Sequence, residues 1–157
     1  MNLVLDFPKV CPLSANKMHD PVKFRGGSIG KRKSELYKTY TTVINNYMRK
    51  YRFECSDFET SYSPYDHFLT CTIMFEVPKD KLFTKKNVIS KTSIDIDNIQ
   101  KPLIDLVFKH FQTIDDSFIC NLDSHKVCSL TNEYRTVVIL KKRNIEELTR
   151  PDLYLVD

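Results

Sequence analysis

Residues 95–111 read DIDNIQKPLIDLVFKHF, and the reading of this stretch decides how the chain folds. Ile99, Leu103, Leu106, Val107 and Phe111 recur at i, i+4, i+7, i+8 and i+12, the spacing of one apolar helix face, so a helix is predicted over about 98–112. Pro102 limits where that helix begins, because proline lacks the N–H that an interior helical residue donates and is tolerated in the first turn. With Asp97 as N-cap, Pro102 would fall at the fifth helical position, so Asn98 or Ile99 is the easier cap. Asp95 and Asp97 are then expected on the extended segment before the helix, where side chains two apart point to the same side. Two carboxylates side by side suit a hard cation such as Mg2+, which takes one or two carboxylates together with water and phosphate oxygens.

Outward from this stretch, residues 69–77 (LTCTIMFEV) alternate apolar and polar and predict a strand that Pro78 ends. Leu3, Leu5 and Phe7 predict a first strand, and two more are expected around 118–129 and 134–141. Thr136 to Leu140 is apolar on both faces, as a central or dimer-covered strand would be. Ser34 is a plausible N-cap for a helix to about residue 52, with Leu36, Tyr40, Val43, Ile44, Tyr47 and Tyr51 on its apolar stripe. Core packing explains those tyrosines better than base stacking, since the stripe is continuous. Residues 53–67 read as a connection. The expected fold is α+β: a single domain over 1–157, with a small mixed sheet of about four strands packed against two main helices.

Two segments break these patterns. Residues 8–33 hold Pro8, Pro12, Pro21 and all three glycines among Lys17, Lys23, Arg25, Lys31, Arg32 and Lys33, and read as a long flexible basic arm. Residues 79–91 form a second basic loop carrying Lys79, Lys81, Lys85, Lys86 and Lys91. The overall charge of +4 is therefore unevenly distributed: residues 1–52 are +8, 53–67 are −4, 68–93 are +3 and 94–123 are −4. Basic surface suits a phosphate backbone, and an acidic cluster within it would repel that backbone unless metal ions stand between them.

Several function classes are excluded. No stretch approaches the ~18 apolar residues of a membrane span, and no signal peptide is visible, so a cytosolic protein is expected. The five cysteines include no C-x-x-C pair, which argues against a disulfide framework or a structural zinc site. The G-G-S-I-G-K segment fails as a phosphate loop because Arg25 stands where its first glycine belongs and no Ser or Thr follows Lys31. A calcium EF-hand fails at Gln100 and Leu106, where Gly and Glu are required. Nucleases built on an E-x-K or D-x-K strand also fit poorly.

Beyond the helix lies the pair Asp115-Asp116, which could return toward the helix start only if the next strand lies beside the earlier one. Lys101 sits four residues after Asp97 and four before Asp105. It suits an ordinary i,i+4 ion pair worth ~0.3–0.5 kcal/mol, or a charge placed to orient water or face a phosphate.

The combined pattern D-x-D-N-x-x-K-x-x-x-D (Asp95, Asp97, Asn98, Lys101, Asp105) followed by D-D-S (Asp115, Asp116, Ser117) resembles the RusA family of Holliday junction resolvases, common in phages and prophages. The segment Pro12-Leu13-Ser14-Ala15-Asn16 after the first strand is similar to the family's P-x-S-x-N, and the order of strands and helices agrees across nearly the whole chain. The resemblance implies a homodimeric endonuclease that requires Mg2+, with Mn2+ as a substitute, and makes paired symmetric nicks in four-way DNA junctions during recombination and repair. It makes Asp95, Asp97 and Asp116 the metal-binding carboxylates with Asp115 assisting, Lys101 the essential lysine, and Asp105 a helix-packing residue or a partner for Lys101. Asn16, Lys31, Arg32, Lys81, Lys85 and Lys86 are the expected DNA contacts. No nucleotide cofactor or membrane is implied, and the setting would be the cytoplasm or nucleoid of a bacterial host. The Gly-containing arm and Pro102 depart from the familiar pattern. Competing readings are a non-catalytic DNA- or protein-binding regulator on this fold, or a nuclease with another branched target.

Overall fold

The computed structural model describes residues 2–149. The rest of the expected 1–157 domain, residue 1 and residues 150–157, lies outside the described residues. The chain begins with β1 (Asn2–Pro8) and passes a 3-10 turn (Ala15–Lys17) into β2 (His19–Lys23) and β3 (Ile29–Lys33). Helices α1 (Glu35–Lys50) and α2 (Arg52–Thr60) precede β4 (His67–Val77). The one-turn helix α3 (Lys79–Leu82) and then α4 (Ile96–Phe108) follow, and a 3-10 turn (Asp116–Phe118) leads into β5 (Ile119–Cys128). Strand β6 (Arg135–Asn144) and a 3-10 turn (Ile145–Thr149) complete the path.

The main sheet has the order β1-β6-β4-β5 and is mixed: β5 runs parallel to β4, and the other pairs are antiparallel. Strand β6 is central, as its apolar character on both faces predicts. Registers Leu5↔Val138, Phe7↔Thr136, Cys71↔Leu140 and Ile73↔Val138 place these side chains on one face of the sheet. That face joins Tyr40, Ile44 and Met48 of α1, Phe58 of α2, and Ile99, Leu103, Leu106 and Val107 of α4 in one core. The opposite face carries no helix residue of that core. There Arg135 bridges strands, with Nε and Nη2 on the Asp6 carboxylate at 2.9 and 3.0 Å and Nη1 on Glu76 Oε1 at 3.3 Å.

Three expectations are corrected. First, the segment read as a connection contains α2, whose buried Cys55 and Phe58 lie three residues apart on its inner side. The acids around them, Glu54, Asp57 and Glu59, hide the periodicity. Second, the basic arm contains an antiparallel ribbon of β2 and β3. Both strands are polar and short, so no alternation marks them, and Pro21 is tolerated because such a ribbon has open edges. Its turn needs Gly26 and Gly27, at φ +105° and +85°, values few side chains tolerate. Third, α4 begins at Ile96, with Asp95 as N-cap and Asp97 already in the first turn. Pro102 therefore lies inside the helix and forgoes a bond to the Asn98 carbonyl, a loss of ~3 kcal/mol in an ordinary helix interior. Its ring is buried with Leu103 and Leu106, and that packing offsets the missing bond.

The α1 stripe also divides unevenly: Leu36 is 59% exposed, whereas Tyr37, Tyr40, Ile44 and Met48 are buried. Leu103→Ala is expected to lower unfolding stability by about 2–5 kcal/mol, the range for truncating a buried leucine, whereas Leu36→Ala stays within about 0.5 kcal/mol of the parent. Urea denaturation followed by circular dichroism measures both.

Candidate functional site

The entrance to α4 carries the first carboxylate pair. Asp95 has the extended dihedrals of an N-cap, φ −72° and ψ 136°, yet its side chain makes no capping hydrogen bond. An N-cap aspartate ordinarily accepts from an amide of the first turn. Here its carboxylate, like that of Asp97, has no hydrogen-bond or ion-pair partner among the described residues, and both side chains are exposed. The positive end of the helix dipole favours negative charge at this place. Two free oxygen-donor groups of this kind fit a hard divalent cation, which needs few protein carboxylates when water and phosphate supply the remaining ligands.

The entrance is tied to β5 by residues that motif reading did not find. Lys126 Nζ donates to the Ile94 carbonyl at 2.7 Å and to Ser93 Oγ at 2.8 Å, and Ser124 Oγ donates to Gln100 Oε1 at 2.9 Å. Their only sequence signal is a spacing of two on a strand, which puts both on the face toward α4. The 3-10 turn containing exposed Asn16 packs near α4. Ser14 and Lys17 of that region share with Ile94 and Tyr40 the lining of a cavity of about 360 Å³.

Asp97, Lys101, Asp105 and Lys109 form the least buried stripe of α4, with charges of alternating sign at successive i, i+4 positions. Lys101 Nζ lies 3.2 Å from Asp105 Oδ1, and the lysine side chain is 69% exposed. An exposed pair of this kind holds Lys101 weakly, by roughly 0–1 kcal/mol.

Asp115 and Asp116 stand elsewhere. The strand after α4 does lie beside β4, but its parallel direction starts it at the same end, with Ile119 opposite Leu69. Lys126, which touches Ile94, is opposite Phe75. A 13-residue helix spans about 20 Å, and it separates Asp95 and Asp97 from Asp115 and Asp116. Among the described residues no group of three or more His, Cys, Asp or Glu side chains is placed to hold a metal ion. One copy of the chain thus brings together Asp95, Asp97 and, on the same stripe, Lys101, but not Asp116.

The Asp115-Asp116 turn is itself well anchored. Asp115 Oδ1 accepts from the Ser117 amide at 2.9 Å, and Ser117 through its hydroxyl and amide holds the Asp115 carboxyl below the usual range. Just upstream, Glu59 of α2 accepts through Oε1 from the amides of Gln112 (2.6 Å), Thr113 and Ile114 (3.3 Å) and from the Thr113 hydroxyl (2.9 Å). Partial burial opposes ionisation of Glu59, but these donors outweigh it and lower its pKa. The stretch read as a connection therefore supplies the clamp.

The remaining expected DNA contacts lie on two basic surfaces. Lys31 and Arg32 are exposed on β3. Lys81 is on α3 with Asp80 3.4 Å away, and Lys85 and Lys86 are exposed in the following loop. No helix among the described residues is long and apolar enough to cross a membrane.

The family model described as endodeoxyribonuclease RusA matches residues 20–141. The match spans the ribbon, β4, α4, β5 and most of β6, and leaves Pro12 to Asn16 outside it. No curated protein matches the chain.

Removing the clamp by Glu59→Ala is expected to cost about 1–2 kcal/mol, the low side of the range for bonds to a charged group because the site is partly solvated. Amide exchange at residues 112–114 should accelerate selectively. Because the folded pKa of Glu59 is depressed, its contribution is complete above the ordinary carboxylate value and fades as pH falls through the folded value. The stability difference between parent and Glu59→Ala should therefore shrink in acid, as denaturation at pH 7 and pH 3 would show.

Proposed function

This chain belongs to the RusA family of endodeoxyribonucleases, and on that premise we propose that it resolves four-way DNA junctions as a Mg2+-dependent homodimer. The observation that carries the proposal is the pair of carboxylates, Asp95 and Asp97, without partners among the described residues, at the entrance to a helix within a basic chain. Asp95 and Asp97 would hold the cation, and Mn2+ would substitute for it. When bound, the cation lowers the pKa of water and offsets charge on the phosphate that is cut.

The chain's own side chains perform the rest. Lys101, one helical turn from Asp97 and bound among the described residues only to Asp105, offers a positive charge to the scissile phosphate. Lys31 and Arg32 on the ribbon, Lys81, Lys85 and Lys86 after β4, and Asn16 near α4 engage the backbone of the DNA arms.

The separation of Asp116 from Asp97 along α4 favours a site shared between two copies, with Asp95, Asp97 and Lys101 from one and Asp116, assisted by Asp115, from the other. A two-fold dimer then carries two such sites, matching the two-fold symmetry of the junction and giving paired nicks.

With Mg2+, purified protein should nick a synthetic four-way junction at symmetric positions, and chelation should stop it. Asp97→Asn should reduce cleavage at least about a hundredfold while junction binding persists. Cleavage by Asp97→Asn at the parental rate would refute the assigned site. Mixing the inactive Asp97→Asn and Asp116→Asn proteins tests the shared site. Random exchange of protomers should restore about a quarter of the parental sites, whereas a site built within one chain restores none.

A further inference from the structure

The tip of the β2–β3 ribbon does not belong to the aspartate site, and its composition is unusual for exposed surface. At the end of the ribbon Phe24 is 54% exposed on one face, and Ile29, opposite Lys23, is 77% exposed on the other. The turn is closed by bonds from the Phe24 amide to the Ser28 carbonyl (2.9 Å) and from the Gly27 amide to the Phe24 carbonyl (3.1 Å). The Phe24 ring abuts Gly30: a Cβ added there would stand 2.3 Å from Cε2 of the ring. Glycine at this position is what lets the ring rest against the ribbon. Lys23, Arg25 and Lys31 are the cations nearest the tip, and Arg32 and Lys33 follow toward the base of the ribbon, opposite Asp20 and His19. Lys23, Arg25 and Lys31 form no ion pair with a carboxylate among the described residues, whereas Arg32 faces Asp20 and lies within electrostatic reach of Glu35.

A half-exposed aromatic ring at the tip of a basic ribbon calls for a partner that is anionic outside and offers a flat apolar face within. Continuous duplex DNA meets the first condition only, because its base faces are covered by stacking. A branch point meets both, since the base pairs flanking it can unstack. We propose that Phe24 stacks on an exposed base pair at the branch point of the junction and so separates branched from linear DNA. Lys31 and Arg32 hold the adjoining phosphates. An apolar side chain placed at a base step within a basic surround is an established way of engaging distorted DNA.

This inference rests on the junction-resolvase reading, and the test separates the two. Affinities for a four-way junction and for a linear duplex of equal length are measured by fluorescence anisotropy in Ca2+, which permits binding without cleavage. Phe24→Ala should weaken junction binding by about ten- to a hundredfold and duplex binding little, as expected for one lost stacking contact. Gly30→Ala, which displaces the ring while keeping it, should act in the same direction. The Lys31→Ala/Arg32→Ala protein should instead lose affinity for both DNAs, with a shallower salt dependence. The chain has no tryptophan, so F24W provides a single emission probe. Its emission should be quenched by the junction and much less by the duplex.

An unchanged junction preference in Phe24→Ala, with F24W emission indifferent to DNA structure, overturns the inference. Emission that changes with protein concentration in the absence of DNA also overturns it, assigning the tip to contact between copies. Parental protein that does not prefer junctions to duplex would remove the resolvase reading and this inference together.

Discussion

Strand β5 runs parallel to β4, with Ile119 opposite Leu69 and Cys128 opposite Val77, so the chain must travel back along the sheet between them. Helix α4 makes that return. Ile99, Pro102, Leu103, Leu106 and Val107 bury it against the inner sheet face, and only a narrow charged stripe is left to solvent. Much of the remaining architecture follows from this crossover. The apolar face of α4 completes a core that α1 and α2 would otherwise leave open, and its two ends are held at opposite ends of the strands. The two aspartate pairs of the family motif sit at those two ends. Strand direction, rather than distance along the chain, keeps them apart.

What could be read from sequence was what repeats with a period set by burial. Residues 69–77 alternate because one side of β4 faces the core, and Ile99 to Val107 recur at helical spacing because one side of α4 does. Helix α2 was missed because only Cys55 and Phe58 of its nine residues are buried, among acids that resemble a loop. The ribbon was missed for a related reason: its strands pair with each other through the backbone, and backbone pairing leaves no mark on side-chain type. Within the site, Asp95 and Asp97 stood out as a motif. The Glu59 clamp and the Lys126 contact did not, since each joins residues more than 30 positions apart through backbone groups.

The charge map acquires a physical meaning in three dimensions. The −4 stretch over 94–123 includes Asp105, paired with Lys101, and Asp123, whose carboxylate is 2.9 Å from His125. Asp115 and Asp116 are gathered in one turn, where Asp115 accepts from the Ser117 amide, just after the amides of residues 112–114 that Glu59 engages. Asp95 and Asp97 have neither a cation nor an amide among the described residues. Asp95 and Asp97 are thus set apart from Asp105, Asp115 and Asp123, each of which has such a partner, and composition alone could not have distinguished them.

Asp95 gives this distinction its energetic content. An aspartate at a helix N-cap usually contributes ~1 kcal/mol by accepting from a first-turn amide, and here that bond is not made. About two turns after Asp95, Pro102 removes another intrahelical bond. A helix start with two such losses would fray if it depended on local structure alone. It is secured from outside, by Lys126 on the Ile94 carbonyl, by Ser124 on Gln100, and by the burial of Ile99 and Pro102. Local rules are broken at the one place where the broken rule leaves carboxylates free, and the compensation comes from long-range contacts that do not consume them. That division of labour is what a binding site requires: a rigid frame supplied by groups that do not bind, and binding groups left without internal partners.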